Sequence, residues 1–232
     1  ENKQQTTQKK AKNMSDKERK IKAAVFDLDG TLCDTLCDLA DAVNTALSEH
    51  GFKERSLHEI QYAVGNGSVK LIERSLPKDS RDPETIEKIH KRYIELYGKN
   101  YLVKTSAYDG LPDVVTKLKK AGIRLAVVTN KPDYRAREIV ERFYPDTFDI
   151  ISGVSEGVKP KPDPSLTLSI LQRLNTDPKD AFFVGDSDVD IKTAKNAGMR
   201  CISVLWGFRS ENELISSGGE RFAKTPDELL KF

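Results

Sequence analysis

Asp27 and Asp29 stand two residues apart, directly after the short apolar run Ala23-Ala24-Val25-Phe26. At the end of a strand that spacing points both carboxylates the same way. Other side chains able to do chemistry gather at three further points. Thr129, Asn130 and Lys131 follow Leu125-Ala126-Val127-Val128, and Asp186, Ser187, Asp188 and Asp190 follow Ala181-Phe182-Phe183-Val184-Gly185. Lys159 and Lys161 lie in the proline-rich loop Lys159-Pro160-Lys161-Pro162-Asp163. Carboxylates crowded in one cleft repel unless a cation lies among them, and an all-oxygen donor set suits Mg²⁺. A divalent cation and a lysine are what a phosphate dianion needs before an aspartate can approach it. Phosphate-monoester hydrolysis demands acceleration of up to ~10²¹-fold, of which general acid–base help supplies roughly 10²–10⁴. Covalent catalysis and charge neutralisation must carry most of the rest. In that scheme one carboxylate attacks phosphorus, and the other gives and takes the proton of leaving group and water. Gly30 permits a sharp turn beside the ligand.

The elements that must hold these groups are legible as apolar runs. Residues 23–26, 125–128, 181–184 and 201–204 read as buried parallel strands, and Phe148-Asp149-Ile150-Ile151 as a weaker one. Helical patterns lie between them, over Leu111 to Ala121 (stopped at Gly122), Ser165 to Leu174 and Ile191 to Ala197 (stopped at Gly198). Strands alternating with helices predict an α/β fold: a doubly wound, Rossmann-like parallel sheet. In such a sheet ligands bind beyond the carboxyl ends of the strands, where the polar residues above stand. One stretch breaks the alternation. Leu39, Val43, Ala46 and Leu47 form a stripe that stops near Gly51. Val69, Ile72, Glu73 and Leu76 form a second, and Ile86, Ile89, Tyr93, Ile94 and Tyr97 a third that ends at Gly98. The expected organisation is a core of residues 23–35 and 107–232 with an inserted all-helical cap, 36–106.

Composition limits the alternatives. The formal charge of +2 comes from the first 22 residues, which hold eight Lys or Arg against three Asp or Glu, so the rest is mildly acidic. No basic stripe marks a nucleic-acid surface, and no apolar run approaches the roughly 20 residues of a membrane helix. Residues 1–22 are expected to be disordered or left over from expression. Cys33, Cys37 and Cys201 cannot all pair, which suits a reducing cytoplasm. On one helix, Cys33 and Cys37 would share a face. His50, His58 and His90 lie in the helical insert, away from any candidate nucleophile, and are expected to have surface or packing roles.

Asp27-Leu28-Asp29-Gly30-Thr31, Thr129, Lys159-Pro160-Lys161-Pro162 and Gly185-Asp186-Ser187-Asp188-Val189-Asp190 resemble, in order, the four motifs of the haloacid dehalogenase-like hydrolases. The resemblance implies Asp27 as nucleophile and magnesium ligand, and Asp29 as general acid/base that also binds magnesium through its carbonyl. Thr129 and the Asn130 amide would hold the phosphoryl group, with Lys131 beside them. Lys159 would be the motif lysine because it opens the Lys-Pro-x-Pro pattern, with Lys161 ranked second. Asp186 would complete the Mg²⁺ ligands, and Asp190 would support the site from behind. Asp34-Thr35-Leu36-Cys37-Asp38-Leu39, Val64-Gly65-Asn66-Gly67, Val128-Thr129-Asn130-Lys131-Pro132 and Trp206-Gly207-Phe208-Arg209 are similar to phosphoglycolate phosphatases. That likeness implies a cap that reads the leaving group through Asn66, Gly67 and Arg74. The function implied is Mg²⁺-dependent hydrolysis of a small phosphorylated metabolite such as 2-phosphoglycolate, with neither nucleic acid nor membrane as partner. Monomer and homodimer stay open. Alternatives on the same fold are a phosphosugar mutase, a pyrophosphatase or nucleotidase, a dehalogenase and a non-catalytic phosphate-binding protein. Asp29 argues against dehalogenation, which needs no such proton donor, and the retention of both Asp27 and Asp29 argues against a non-catalytic protein.

Overall fold

The computed structural model describes residues 20–232, so the expectation for the tail falls almost wholly outside it. The core strands are β1 (Ala23–Phe26), β4 (Arg124–Pro132), β5 (Ile150–Val154), β6 (Ala181–Gly185), β7 (Arg200–Val204) and β8 (Phe222–Ala223). They form one parallel sheet in the order β5-β4-β1-β6-β7-β8. The fold is the α/β sheet expected, covered on both faces. The alternation of each strand shows why. Ala24 and Phe26, Leu125 and Val127, and Phe182 and Val184 enter one apolar cluster. Ala23 and Val25, Ala126 and Val128, and Ala181 and Phe183 enter the other. Helices α5 (Leu111–Lys120) and α6 (Asp133–Phe143) cover the first face, and α7 (Ser165–Arg173) and α8 (Asp188–Ala197) the second. Order reverses at β1, whose neighbours are β4 and β6, so the crevice above β1 is the natural ligand position.

Between β1 and β4 the chain makes α1 (Leu36–Ser48), α2 (Leu57–Ala63), α3 (Ser68–Ser75) and α4 (Pro83–Asn100). These helices bury their own core, including Leu39, Val43, Leu47, Ile60, Ile72, Leu76, Ile89 and Tyr93. Where the chain leaves and re-enters the sheet domain, β2 (Cys33–Asp34) pairs antiparallel with β3 (Ser106–Ala107). Asp38, buried in α1, ties the same junction. Its carboxylate accepts from the Lys104 N–H at 2.9 and 3.0 Å, the Thr105 N–H at 2.8 Å and the Thr105 hydroxyl at 2.8 Å.

Several local expectations change. α4 runs through Gly98 to Asn100. α8 begins at Asp188 and β5 at Ile150. Val69 is exposed and Leu71 buried in its place. Cys33 sits in β2 and Cys37 in α1, so they do not share a helix. α2, α6, β8 and a short helix α9 (Glu211–Ser216) have no counterpart in the pattern reading. α2 is a seven-residue helix started by a capping box, in which Ser56 and Glu59 satisfy each other's backbone N–H, a signal that lies outside the apolar periodicity.

Candidate active site

The polar residues converge above β1. Asp27 continues that strand, its N–H donating to Val184 O at 2.9 Å. Next, Gly30 takes φ +80°, and a Cβ there would collide with the Asp186 carboxyl group. The bare backbone is therefore what lets the first and fourth motifs touch. Carboxylate oxygens of Asp27, Asp186 and Asp190 all lie within 4.8 Å of one another, and all three residues are buried. Thr31 Oγ1 donates to Asp186 Oδ1 at 3.0 Å and the Phe208 N–H to its Oδ2 at 2.8 Å. The cap of α8 is made by Asp190, whose Oδ2 accepts the Ser187 N–H and hydroxyl at 3.1 and 2.6 Å. That leaves Asp186 out of helix capping. Asp188 pairs with Lys192 at 2.6 Å on the outside of the same helix.

The lysine is the clearest correction. The Lys159 side chain is 75% exposed and reaches only Asp163 at 3.8 Å, whereas that of Lys161 is 2% exposed. Its Nζ lies 2.8 Å from Asp27 Oδ1 and 2.6 Å from Asp190 Oδ1. The Lys-Pro-x-Pro pattern favours the first lysine by position alone. The fold buries the second, because Asn130 grips the main chain at Lys161. The Lys161 N–H donates to Asn130 Oδ1 at 2.7 Å, and Asn130 Nδ2 donates to Lys161 O at 3.0 Å. Asn130 Nδ2 also reaches Gly65 O of the cap at 2.9 Å.

Asp29 is held apart from the trio. Its carboxylate accepts from Thr35 Oγ1 at 2.7 Å and from Lys131 Nζ at 2.8 and 3.0 Å. Lys131, expected beside the phosphoryl group, is thus committed to Asp29, with its ammonium 5.0 Å from the centre of the Tyr97 ring. Thr129 is buried, and its hydroxyl accepts the Lys131 N–H at 3.2 Å. Asp27, Asp29, Thr129, Asn130, Lys131 and Asp186 border one cleft, roofed by Leu39, Val64, Gly65, Gly67, Ser68, Leu71, Tyr93, Ile94 and Tyr97. Gly67 is there as expected, but Asn66 and Arg74 are not. Arg74 donates to Ala63 O and Asn66 Oδ1, at 3.2 and 2.8 Å, and borders a separate groove with Arg55 and Arg81.

Electrostatics set the site's character. Burial, reinforced by Asp190, pushes the Asp27 carboxyl from its ordinary 3.8 to about 8. Burial and then Asp190 push Asp186 to about 7. Burial works to lower both buried lysines, but Asp190 and Asp27 hold Lys161 above its ordinary range, and Asp29 does the same for Lys131. Three carboxyl groups thus face a single ammonium, and the two raised ones take up protons unless a further cation lies among them. That is the chemistry of an oxygen-ligand site for a small hard cation, so these residues fit Mg²⁺.

A carboxylate on such a trio, a second carboxylate two residues on and a buried lysine amount to phosphoryl-transfer machinery. The family model for haloacid dehalogenase-like hydrolases matches residues 24–204. The chain belongs to this family. It is similar to a phosphoglycolate phosphatase of Nitrosospira multiformis, 37% identical over 203 residues that cover 84% of this chain and 87% of that protein. It is also similar to an N-acetylmuramic acid 6-phosphate phosphatase of Pseudomonas aeruginosa, at 28% over 216 residues, covering 92% and 95%. A crystal structure of a predicted phosphoglycolate phosphatase from Haemophilus somnus superposes with a TM-score of 0.84 at 28% identity, covering 91% of this chain and 97% of that one. Within the family the site is that of a phosphoric monoester hydrolase. Among the described residues no helix is long and apolar enough to cross a membrane.

Proposed function

We propose that the protein is a cytoplasmic, Mg²⁺-dependent phosphatase that hydrolyses a small phosphorylated acid, 2-phosphoglycolate foremost, through an aspartyl-phosphate on Asp27. The observation that carries this reading is the placement of Asp27, at once a member of a buried carboxylate trio and in contact with a buried lysine. Asp27 and Asp186 would hold the metal through side chains and Asp29 through its carbonyl. The bound ion would neutralise the phosphate oxygens and keep the carboxylates ionised.

The chain's own groups supply the remainder. Lys161 offsets charge on the incoming phosphate, and Asp190 on its far side fixes where its ammonium points. The Thr129 hydroxyl and the Asn130 backbone receive the phosphoryl oxygens. Asp27 attacks phosphorus as the bond to the leaving oxygen breaks, and protonated Asp29 gives that oxygen its proton. Asp29 then takes a proton from water, whose oxygen attacks the aspartyl-phosphate, releasing phosphate and restoring Asp27. Thr35 and Lys131 orient Asp29 for both transfers.

A second reading keeps the reaction and changes the leaving group to a sugar. It is favoured by the aromatic roof of Tyr93 and Tyr97, whose rings stack at 5.5 Å, and by the likeness to the sugar-phosphate phosphatase above. The deciding measurement is phosphate release with Mg²⁺ and with EDTA, on 2-phosphoglycolate, a nucleoside monophosphate, pyrophosphate and a sugar phosphate side by side. The proposal expects Mg²⁺-dependent turnover with 2-phosphoglycolate preferred. Inactivity on every ester sinks the phosphatase, while preference for the sugar phosphate transfers the assignment to the second reading.

A further inference from the structure

The segment leaving β7, Leu205 to Arg209, touches both halves of the site. Trp206 Nε1 donates to Thr31 O at 3.0 Å. Gly207 packs so closely that a Cβ there would collide with Asp186 and with the Gly30 carbonyl. Phe208 donates its N–H to Asp186 Oδ2 at 2.8 Å, yet its ring is buried in the cap's own apolar cluster. The Phe208 carbonyl accepts from Gln61 Nε2 of α2 at 2.6 Å. Arg209 then reaches the end of the same helix. Its Nη1 donates to Gln61 O at 2.8 Å, and its Nη2 to Val64 O at 3.0 Å and Tyr62 O at 3.3 Å. The guanidinium also lies 5.2 Å from the centre of the Tyr62 ring. Carbonyls at a helix C-terminus lack intrahelical partners and carry its negative end. α2 has no basic residue in its last turn; its end is met by Arg74 of the cap, on Ala63 O, and from the core by Arg209, on the carbonyls of Gln61, Tyr62 and Val64.

We infer that Arg209 is a positioning residue, a latch that makes closure of the cap and placement of Asp186 a single event. The inference rests on the phosphatase reading above. The cap roofs the cleft, and lids of this kind complete the reacting constellation when they shut. Moving α2 away breaks the Arg209 and Gln61 bonds together and withdraws the apolar pocket from the Phe208 ring. The main chain at Phe208 then loses the cap's share of what holds its N–H on Asp186, and only the Trp206 and Gly207 contacts with the core remain. Direct contact with substrate is the rival role, since Arg209 also borders the cleft. Its two terminal nitrogens, however, are already spread over four carbonyls, those of Gln61, Tyr62, Val64 and Phe208.

The test compares the full-length wild type with Arg209→Ala, Arg209→Lys and Gln61→Ala. Residue-resolved hydrogen exchange is read without ligand, and steady-state kinetics on p-nitrophenyl phosphate with Mg²⁺. In Arg209→Ala, exchange at the Phe208 amide and across residues 61–66 should quicken together by roughly 10-fold. kcat should fall by about 10-fold and KM change by less than about 3-fold. Arg209→Lys should fall in between, because an ammonium cannot fork across several carbonyls. Gln61→Ala should give the same pattern more weakly. Exchange that quickens in α2 but not at Phe208 overturns the latch. So does a rise in KM with kcat unchanged, the mark of a substrate contact. If the wild type turns over no ester, the phosphatase reading fails by itself, and the exchange data still decide whether α2 and Phe208 move as one.

Discussion

The rim of the sheet and the roof of helices above it treat their charged groups in opposite ways. On the rim, Asp27, Asp186, Asp190, Lys161 and Lys131 are buried, and each has partners on other elements. In the cap, Arg74 is exposed and spends its hydrogen bonds on a nearby carbonyl and on Asn66, while the surface turned toward the cleft is mostly aliphatic and aromatic. Burying charge is costly unless it is paired, so a rim built this way tolerates few changes. A surface of Leu, Ile and Tyr side chains can be re-cut with little effect on the chemistry below. On the proposed reading the rim would determine the reaction, and the roof would select what leaves with the oxygen.

The sharpest way to break that contrast is to remove one rim charge. Asp27→Asn should lower kcat by at least roughly 10⁴-fold, as loss of a nucleophile does, while thermal unfolding stays at or above the wild-type temperature. The sign follows from the raised carboxyl of Asp27, since the substitution removes an anion that burial and Asp190 already disfavour. Substantial residual turnover would point to another nucleophile. Next in size is the lysine pair. Lys161→Met strands Asp190 and Asp27, a loss of about 3–5 kcal/mol when a buried pair is broken. The lower end applies, because Asp27 can take up a proton instead. Activity should fall by roughly 10²-fold or more. Lys159→Ala, on the exposed residue, should stay within about 0.5 kcal/mol and leave turnover unchanged. Chemical denaturation and kinetics on the two variants decide which lysine serves the site, and equal effects would remove the distinction drawn from burial.

That distinction marks where sequence reasoning stops. Strands β1, β4 and β6 were legible because each carries an unbroken apolar run ending in polar residues, and the four motifs because they follow one another in a recognisable order. The lysine was not. Lys159 and Lys161 differ by two residues in a loop without periodicity, and what separates them is the grip of Asn130 on the main chain at Lys161. A contact between positions 31 residues apart leaves no local trace. Arg74 failed for a related reason, since a helix pattern tells which residues share a face but not which face looks down on the sheet. Asp38 and Arg209 carried a weaker signal as members of the family-like segments. Their work, joining the cap to the core, depends on elements far off in the chain.

A gentler probe of the rim is protonation. The folded-state values for Asp27 and Asp186, about 8 and about 7, lie above the ordinary 3.8. Between roughly pH 4 and pH 8 these two groups therefore bind more protons in the folded protein than in the unfolded chain, so their contribution to stability falls as pH rises through that window. On the proposed reading Mg²⁺ would bind the ionised carboxylates and oppose that loss. Thermal scans in EDTA and in MgCl₂ should show a stabilisation of a few degrees near pH 8 that shrinks toward about pH 5. A shift of the same size at both ends would mean that the ion binds away from the trio.

The smallest effect is expected from Arg74→Ala, and its smallness is what makes it informative. Arg74 supplies a hydrogen bond to Ala63 O at the end of α2 and another to Asn66. Truncation should lower stability by about 0.5–1.5 kcal/mol, the net worth of an ordinary hydrogen bond. Because the guanidinium borders the outer groove rather than the cleft, kcat and KM for the preferred ester should each stay within about 2-fold of wild type. A KM raised by about 10-fold would instead correspond to a lost contact worth roughly 1.4 kcal/mol in the bound complex. The cap would then have to turn its outer groove toward the leaving group during turnover, and charge on the roof would join the rim in choosing the substrate.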